Sequence, residues 1–242
     1  MKIKTVRTGR IKCGDSLEQI LKYIPSLEEK TIVAITSKII SLSQRQVVSR
    51  THHSKEELVQ QEADAIAPCL SYGFSLTIKE GVLIPSAGID ESNADDKYIL
   101  YPKDIQATAT SIWQRLRKRH SIKDLGVIIT DSHVTPMRWG VTGVSIGWCG
   151  FEPLYSYIGR VDLYKRPLQV TRINLLDALA ASAVLMMGEG SEQTPIALIN
   201  DAPKITFLDR SPTVEEEKAF KVPLEEDLYA PILKPAFTQN QA

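Results

Sequence analysis

The chain has 242 residues, enough for one large domain or two small ones with a sizeable buried core. Its hydrophobic fraction of 43% and charged fraction of 24% are ordinary for a soluble globular protein. Lysine and arginine together number 29, as do aspartate and glutamate, and this zero net charge argues against a dedicated nucleic-acid or membrane-surface binder.

The cysteines and the N-terminal segment indicate where in the cell the protein is located. Three widely spaced cysteines without a Cys-X-X-Cys pair predict reduced thiols, not a disulfide framework or a zinc site. Residues 1–16 lack the apolar core of a secretory signal, and no apolar run approaches the roughly 20 residues that span a bilayer. We therefore expect a cytoplasmic protein that binds neither membranes nor nucleic acid.

The first third of the chain predicts two strands and two helices. Alternating apolar residues over 1–8 predict a strand, and an apolar face over 16–24 predicts a helix that Asp15 caps. An apolar run at 31–35 predicts a buried strand that ends in polar residues. An amphipathic helix is expected over 54–66.

The rest of the chain continues to mix both element types. The predicted elements, in chain order, are a hairpin at 73–89, a helix at 104–120, a buried strand at 125–132, a glycine-rich run at 140–150, a helix at 174–190 and a strand at 194–200. A short acidic helix and a loosely packed tail are expected over 211–242. Strands and helices alternate without a regular βαβ rhythm, which favours an α+β fold over a doubly wound sheet.

Three short segments each place a carboxylate at the end of an apolar element, beside a hydroxyl or glycines. The three carboxylates are Asp90 near Ser92, Asp131 beside Ser132, and Glu189 between Gly188 and Gly190. Hard divalent cations such as magnesium prefer oxygen ligands, often only one or two carboxylates with phosphates and waters. The sequence therefore predicts a site for such a cation.

Phosphate-binding donors accompany these carboxylates. Thr36, Ser37, Lys38 and Arg138 offer groups suited to phosphate oxygens. Histidines are too few for a softer metal, and neither a dinucleotide-binding glycine fingerprint nor a P-loop is present. The residues alone thus indicate a metal-assisted, phosphate-handling enzyme. The alternative stays open that each carboxylate is a turn or cap residue and that Gly188-Glu189-Gly190 ends a helix.

Several motifs carry a family resemblance. The stretches AGIDESN (87–93), VIITDS (127–132), RWGVTGVSIGWCG (138–150), GRVDLYKRPLQVT (159–171) and MMGEG (186–190) resemble the coenzyme F420-0:L-glutamate ligase family in order and spacing. The resemblance covers nearly the whole chain, to about Asp201. It implies an α+β fold of that family's own type, with mixed and antiparallel sheets, packed helices and an intertwined homodimer. It also implies one ligase unit over 1–242, or two intertwined subdomains within it.

The resemblance further implies a ligase that forms an acid–amino-acid amide bond. It would add L-glutamate to a carboxylate acceptor through an acyl phosphate, using GTP as co-substrate, with ATP not excluded, and Mg²⁺ or Mn²⁺. Asp90, Asp131 and Glu189 would be catalytic, and with Ser132 they would bind the metal. The expected nucleotide-binding residues are Asn93, the region 7–10, Thr36, Ser37, Lys38, Arg138 and the stretch 187–194 with Met187, Gly188, Gly190 and Thr194.

Two segments depart from the family pattern. Residues 41–45 read Ser-Leu-Ser-Gln-Arg in place of an Ala-Glu-Gly segment, which leaves Lys38 as the candidate for a lysine expected near GTP. Val134-Thr135 replaces a Gly-Arg pair, so that Arg138 becomes the nearer arginine. The alternatives are a folate γ-glutamate ligase, as in some bacterial relatives, and a non-catalytic nucleotide-binding relative.

Overall fold

A mixed five-stranded sheet forms the centre of the protein. The computed structural model describes residues 1–67 and 73–238, so Cys69 lies outside the described residues. In spatial order the strands are β1 (Lys2–Val6), β12 (Ile196–Asn200), β2 (Thr31–Thr36), β8 (Leu125–Val134) and β9 (Val141–Cys149). Only the β2–β8 pair within this sheet is parallel, and every other neighbouring pair is antiparallel.

Three smaller sheets surround this centre. They are formed by β3 (Val47–Ser49) with β7 (Lys97–Ile99), by β4 (Ala65–Ile66), β5 (Leu76–Lys79) and β6 (Val82–Pro85), and by β10 (Leu154–Ser156) with β11 (Arg172–Asn174). The helices are α1 (Leu17–Leu21), α2 (Ser37–Ser43), α3 (Lys55–Glu62), α4 (Ile105–His120), α5 (Leu175–Met187), α6 (Val214–Phe220) and α7 (Ala230–Thr238). None of the helices over the described ranges is long and apolar enough to cross a membrane.

The central sheet is covered on both faces because its strands are apolar on both sides. Successive side chains of a strand point to opposite faces. In β2, Val33 and Ile35 join the core beneath α1 and α4, whereas Ile32 and Ala34 join the core beneath α5. The result is a helix–sheet–helix arrangement, and the predicted α+β class with mixed and antiparallel sheets is confirmed.

The sequence pattern located most elements correctly, but one helix cap differs. Ser16, and not Asp15, caps α1: its Oγ accepts from the Gln19 N–H while the Gln19 side chain accepts from the Ser16 N–H. Serine with a Gln three residues later forms a reciprocal capping box, which satisfies two backbone donors at once. The Asp15 carboxylate instead accepts from the Lys12 N–H at 2.8 Å.

The glycine-rich run 140–150 is a strand of the central sheet. A Cβ on Gly143 would lie 2.5 Å from the Ala180 carbonyl oxygen of α5, and one on Gly150 would lie 2.2 Å from the Leu125 carbonyl oxygen. These glycines therefore permit close packing within one chain. Because packing within the chain accounts for them, they give no support to the homodimer that the family resemblance implies.

The C-terminal part contains one more helix than the sequence pattern predicted. The acidic helix is present as α6, and its Phe220 packs on Trp148 with ring centroids 5.3 Å apart. Helix α7 follows, with Pro231 in its first turn, where proline is tolerated. Pro235 lies inside the helix and removes one backbone N–H donor, and the buried Phe237 anchors the last turn. Whether the chain forms one unit or two intertwined subdomains stays a prediction.

Candidate functional site

The C-terminal ends of three parallel-running strands meet at one edge of the central sheet. β2 and β8 are parallel and paired through Thr36 and Thr130, and β1 runs in the same direction on the far side of β12. The Thr36 N–H donates to the Pro195 carbonyl at 3.1 Å, and the Thr8 N–H donates to the Gln193 carbonyl at 2.9 Å. The segments after β1, β2 and β8 and before β12 therefore converge at this edge, which is where open sheets bind ligands.

A cavity of about 740 Å³ lies at this edge. It is lined by the ends of the strands, by the segment after the 3₁₀ turn Ser86–Gly88, and by the segment between α5 and β12. The predicted site residues on its wall are Thr36, Ser37, Lys38, Asp90, Asn93, Asp131, Ser132, Met187, Gly188, Glu189, Gly190 and Thr194. A cavity of this size suits a nucleotide-sized ligand.

A β-bulge directs Asp131 at the cavity. The pairing of β8 with β9 shifts between Ile129 and Thr130, so that Ile146 of β9 is the extra residue. Bulges bend a strand and change the direction of the side chains beside them. Asp131 follows this irregularity directly, and its Oδ1 accepts from the Ser132 N–H at 2.8 Å.

Contacts with β7, with Lys38 and with Gly190 hold the Asp90 segment in place. The Asp90 N–H donates to the Ile99 carbonyl at 3.0 Å, and the Ile99 N–H donates back at 2.9 Å. The Lys38 ammonium group lies 2.5 Å from Asp90 Oδ2. Asn93, in the left-handed region with φ 56°, donates through Nδ2 to the Gly190 carbonyl at 3.2 Å. The segments around Asp90 and Glu189 therefore meet across the cavity.

Glu189 begins a turn immediately after α5. Gly188 ends the helix with φ 79°, and the Ser132 hydroxyl donates to Glu189 Oε1 at 2.6 Å. The Gly190 N–H donates to Glu192 Oε2 at 2.8 Å, and Thr194 Oγ1 donates to the Met187 carbonyl at 2.6 Å. Gly188 is thus a helix-ending glycine, as the alternative interpretation expected, and Glu189 still lines the cavity.

The pKa values of the two cavity aspartates are shifted in opposite directions. Burial, helped by the negative charges of Asp90 and Glu189, raises the pKa of Asp131 to about 7. Hydrogen bonds from Ser132 and Ser37 act in the opposite direction and are outweighed. Burial also acts to raise the pKa of Asp90, but the hydrogen bond and positive charge of Lys38 outweigh it and hold that pKa below its usual range. The cavity therefore carries uncompensated negative charge around Asp131, and a bound cation would relieve it.

The donor set fits a hard divalent cation by chemistry. Carboxylate and hydroxyl oxygens from Asp90, Asp131, Ser132 and Glu189 line one cavity, and magnesium and manganese prefer oxygen ligands. As the side chains stand, no three His, Cys, Asp or Glu residues within 1–67 and 73–238 form a group that could hold an ion. Lys38 occupies one oxygen of Asp90 instead. The metal-binding roles therefore stay predictions that require a rearrangement of Lys38.

One predicted site residue lies away from the cavity. β8 continues to Val134, beyond the predicted end at residue 132, and Arg138 lies on the exposed turn between β8 and β9. Its Nη1 donates to the Met137 carbonyl at 3.0 Å. The two strands form an extended hairpin, and its tip carries Arg138 away from the strand ends at the cavity. Within its own chain, Arg138 does not line the cavity.

Tyr101 is a cavity residue that the sequence did not reveal. Its side chain is buried against Gly88, where a Cβ would lie 2.6 Å from the tyrosine ring. Its hydroxyl is buried and has no hydrogen-bond partner among residues 1–67 and 73–238. Burial raises the pKa of this phenol far above its usual range. Nothing in the pattern Leu100-Tyr101-Pro102 signals such a position, since an aromatic residue there predicts ordinary packing.

Comparisons with known proteins match one family over most of the chain. The family model described as F420-0:Gamma-glutamyl ligase matches residues 5–201. A protein of Methanopyrus kandleri named coenzyme F420:L-glutamate ligase is 33% identical over 208 residues, covering 78% of this chain and 82% of its own length. Proteins of the same name from Methanothermobacter thermautotrophicus and Methanococcus maripaludis are 34% and 30% identical, covering 78% and 77% of this chain and 68% and 81% of their own lengths. The matched region spans the strand ends and the three carboxylates, and the chain belongs to the F420-0:gamma-glutamyl ligase family of enzymes.

Proposed function

We propose that the protein is a nucleotide- and divalent-cation-dependent γ-glutamyl ligase that attaches L-glutamate to coenzyme F420-0. The observation that carries the proposal is one cavity lined by Asp90, Asp131 and Glu189 in a chain of this family. The family and the names of its relatives support the amide-forming activity. The GTP dependence and the chemical route are proposed from the family resemblance, and the carboxylates of the cavity wall add support for the cation dependence.

The wall residues divide into two groups by chemistry. Asp90, Asp131, Ser132 and Glu189 would hold Mg²⁺ or Mn²⁺. A bound cation would neutralise charge on the phosphates and on the group being transferred. Thr36, Ser37 and Asn93 offer neutral donors, and Lys38 offers a charged one, to the phosphate oxygens. Backbone at Gly188 and Gly190 can approach a phosphate closely because neither residue has a side chain.

The reaction we propose has two steps. An oxygen of the acceptor carboxylate attacks the γ-phosphorus, the bond between the β- and γ-phosphates breaks, and GDP leaves. The amine of L-glutamate then attacks the carbonyl carbon of the acyl phosphate, inorganic phosphate leaves, and one proton is released as the amide forms. The chain contributes mainly by positioning and electrostatics, since charge moves between oxygens that the cavity residues face.

The departures at 41–45 and 133–136 affect the site unequally. Ser41 and Leu42 line the cavity, whereas residues 133–136 continue β8 and its hairpin away from it. A change of substrate preference would therefore act through 41–45. A folate derivative is the alternative acceptor. The departure from the family pattern at Ser41 and Leu42, on the cavity wall, is the reason to assay it.

We also propose that the protein is a homodimer. Several large apolar side chains are almost fully exposed, including Met137 at 94%, Trp139 at 92% and Leu163 at 99%. Single exposed apolar residues are ordinary, but a hairpin tip that exposes both Met137 and Trp139 indicates a contact surface. Leu163 lies on the segment between β10 and β11, a second candidate contact. This exposure supports the proposed homodimer.

An assay that crosses two nucleotides, two acceptors and two metals tests the proposed function. Purified protein receives GTP or ATP, F420-0 or a folate, and Mg²⁺ or Mn²⁺, together with L-glutamate. We expect product one glutamyl residue heavier than F420-0, formed only with nucleotide and metal. Nucleotide hydrolysis without amide formation for either acceptor would instead identify a non-ligating relative. A heavier folate product alone would move the assignment to folate.

A further inference from the structure

Both carboxylate oxygens of Asp90 are already engaged by the chain itself. Oδ1 accepts from the Ser92 N–H at 2.7 Å, and Oδ2 lies 2.5 Å from the Lys38 ammonium nitrogen. Lys38 also donates to Ser92 Oγ at 2.8 Å and to the Ser92 carbonyl at 3.3 Å. A cation that used Asp90 would therefore have to compete with Lys38.

The three oxygens around Lys38 satisfy all of its donors. A lysine ammonium group has three N–H donors, and Asp90 Oδ2, Ser92 Oγ and the Ser92 carbonyl each take one. The side chains of Lys38 and Asp90 are only 25% and 35% exposed, so that solvent screens the pair incompletely. This arrangement is a charged oxygen cage filled by an ammonium ion, and it is stronger than an ordinary surface ion pair.

We propose that Lys38 is a positioning residue that takes the place of the cation at Asp90 while the nucleotide site is empty. A divalent cation and an ammonium group cannot share one carboxylate oxygen without strong repulsion. Free metal therefore binds weakly, because it must displace the Lys38 ammonium group into the cavity, where no phosphate is present to accept its hydrogen bonds. A metal–nucleotide complex binds well, because its phosphates accept Lys38 at the moment the metal takes Asp90.

This inference rests on the proposed function, since it requires a nucleotide and a cation to share the cavity. It adds an order to the binding steps: the metal arrives with the nucleotide and not before it. A plain structural role for Lys38 makes a different prediction. If Lys38 only held the Asp90 segment in place, its removal would weaken metal binding with or without nucleotide.

Mn²⁺ binding to nucleotide-free protein, followed by electron paramagnetic resonance and calorimetry, tests the inference. The test variant is Lys38→Met, which keeps most of the side-chain length and removes the charge. The matched control is Lys55→Met. Lys55 Nζ lies 2.7 Å from Glu91 Oε1, next to Asp90 in the chain, and Glu91 keeps a second partner in Arg50 at 3.2 Å. Lys38→Arg keeps the charge and serves as the conservative variant.

We expect Lys38→Met to bind free Mn²⁺ about tenfold more tightly than the wild type, since a charged hydrogen-bonded competitor has been removed. Lys55→Met and Lys38→Arg should stay close to the wild type. With GTP present the effect of the substitution on affinity should reverse, and Lys38→Met should bind the Mn²⁺–GTP complex several-fold more weakly than the wild type. The metal-free melting temperature of Lys38→Met should also fall.

Two results would overturn the inference in different ways. Free Mn²⁺ affinity that is unchanged or weaker in Lys38→Met, while the wild type binds Mn²⁺–GTP, would remove the role of Lys38 and leave the proposed function in place. Failure of the wild type to bind Mn²⁺ even with GTP would remove both proposals together. Tighter Mn²⁺ binding in Lys55→Met by the same factor would show a general charge effect and would also overturn the inference.

Discussion

The Ser132 hydroxyl donates a 2.6 Å hydrogen bond to Glu189 Oε1, although the two residues are 57 positions apart in the chain. The bond joins the functional end of β8 to the turn after α5 and fixes the direction of a carboxylate that is otherwise exposed. We expect Ser132→Ala to lower stability by less than about 1 kcal/mol, because the pair is exposed to solvent. Activity should fall about tenfold or more, because Glu189 loses its orientation and the cavity loses an oxygen.

The contrast between these two effects is the test. Melting temperature and initial rates are measured on the same preparation, with Ser182→Ala as the control. Ser182 donates to the Ala178 carbonyl within α5, outside the cavity wall. A large loss of stability with unchanged activity in Ser132→Ala would show that the hydrogen bond is structural only.

The raised pKa of Asp131 predicts opposite effects of Asp131→Asn on activity and on metal-free stability. Activity should fall at least about a hundredfold, since a charged group that faces the reacting phosphates is lost. Stability should rise. The pKa of Asp131 is about 7 in the folded protein and about 3.8 in the unfolded chain. The folded form therefore holds its proton more firmly, and wild-type stability falls as pH rises from about 4 through 7.

The measurement is the melting temperature of metal-free wild type and Asp131→Asn at pH 5 and pH 8. The variant should gain a few degrees relative to the wild type at pH 8 and little at pH 5, because only the wild type must ionise a buried carboxyl group. Glu29→Gln is a useful control, since hydrogen bonds from the Lys123 and Asp124 N–H groups lower the pKa of Glu29. A gain for Asp131→Asn that does not depend on pH would contradict the raised pKa.

Tyr101→Phe should leave stability unchanged or raise it slightly. The buried Tyr101 hydroxyl finds no partner in the described part of the chain, and an unsatisfied buried polar group costs about 1–3 kcal/mol. Thr77→Val is the matched control, because the buried Thr77 hydroxyl donates to the Ile84 carbonyl and accepts from the Ala87 N–H at 2.8 Å. Chemical denaturation should show Thr77→Val destabilised and Tyr101→Phe not. Destabilisation of Tyr101→Phe by the same amount would reveal a partner for its hydroxyl.

The sequence predicted the wall of the cavity better than its internal contacts. Asp131 and Thr36 were found because an apolar strand that ends in polar residues indicates a strand end, and the ends of parallel strands meet at one sheet edge. The bulge at Ile146 and the Lys38–Asp90 pair had no local signal, since each depends on tertiary packing between distant segments. The position of Arg138 also had no local signal, because pairing with β9 extends β8 into a hairpin that holds Arg138 away from the cavity of its own chain. Its nucleotide-binding role stays a prediction.

The exposed hairpin tip gives a separate prediction about assembly. Trp139→Glu places a charge on a side chain that is 92% exposed, so the folded chain should tolerate it. If the tip is buried in a homodimer, the substitution should shift the mass measured by light scattering from dimer to monomer at micromolar concentration. Tyr23→Glu changes another exposed aromatic side chain and should leave the measured mass unchanged. A wild-type monomer under these conditions would contradict the proposed dimer.

The most direct test of the ligase assignment follows oxygen-18 from the acceptor carboxylate. Purified protein receives GTP, Mg²⁺, L-glutamate and F420-0 labelled with oxygen-18 in the carboxylate that is glutamylated. The masses of the products are measured by mass spectrometry. We expect amide product together with inorganic phosphate that carries one oxygen-18 atom, because the acyl phosphate passes that oxygen to phosphate when the amine attacks. Amide product with unlabelled phosphate would contradict the acyl phosphate, and labelled acceptor recovered without any amide product would contradict the ligase itself.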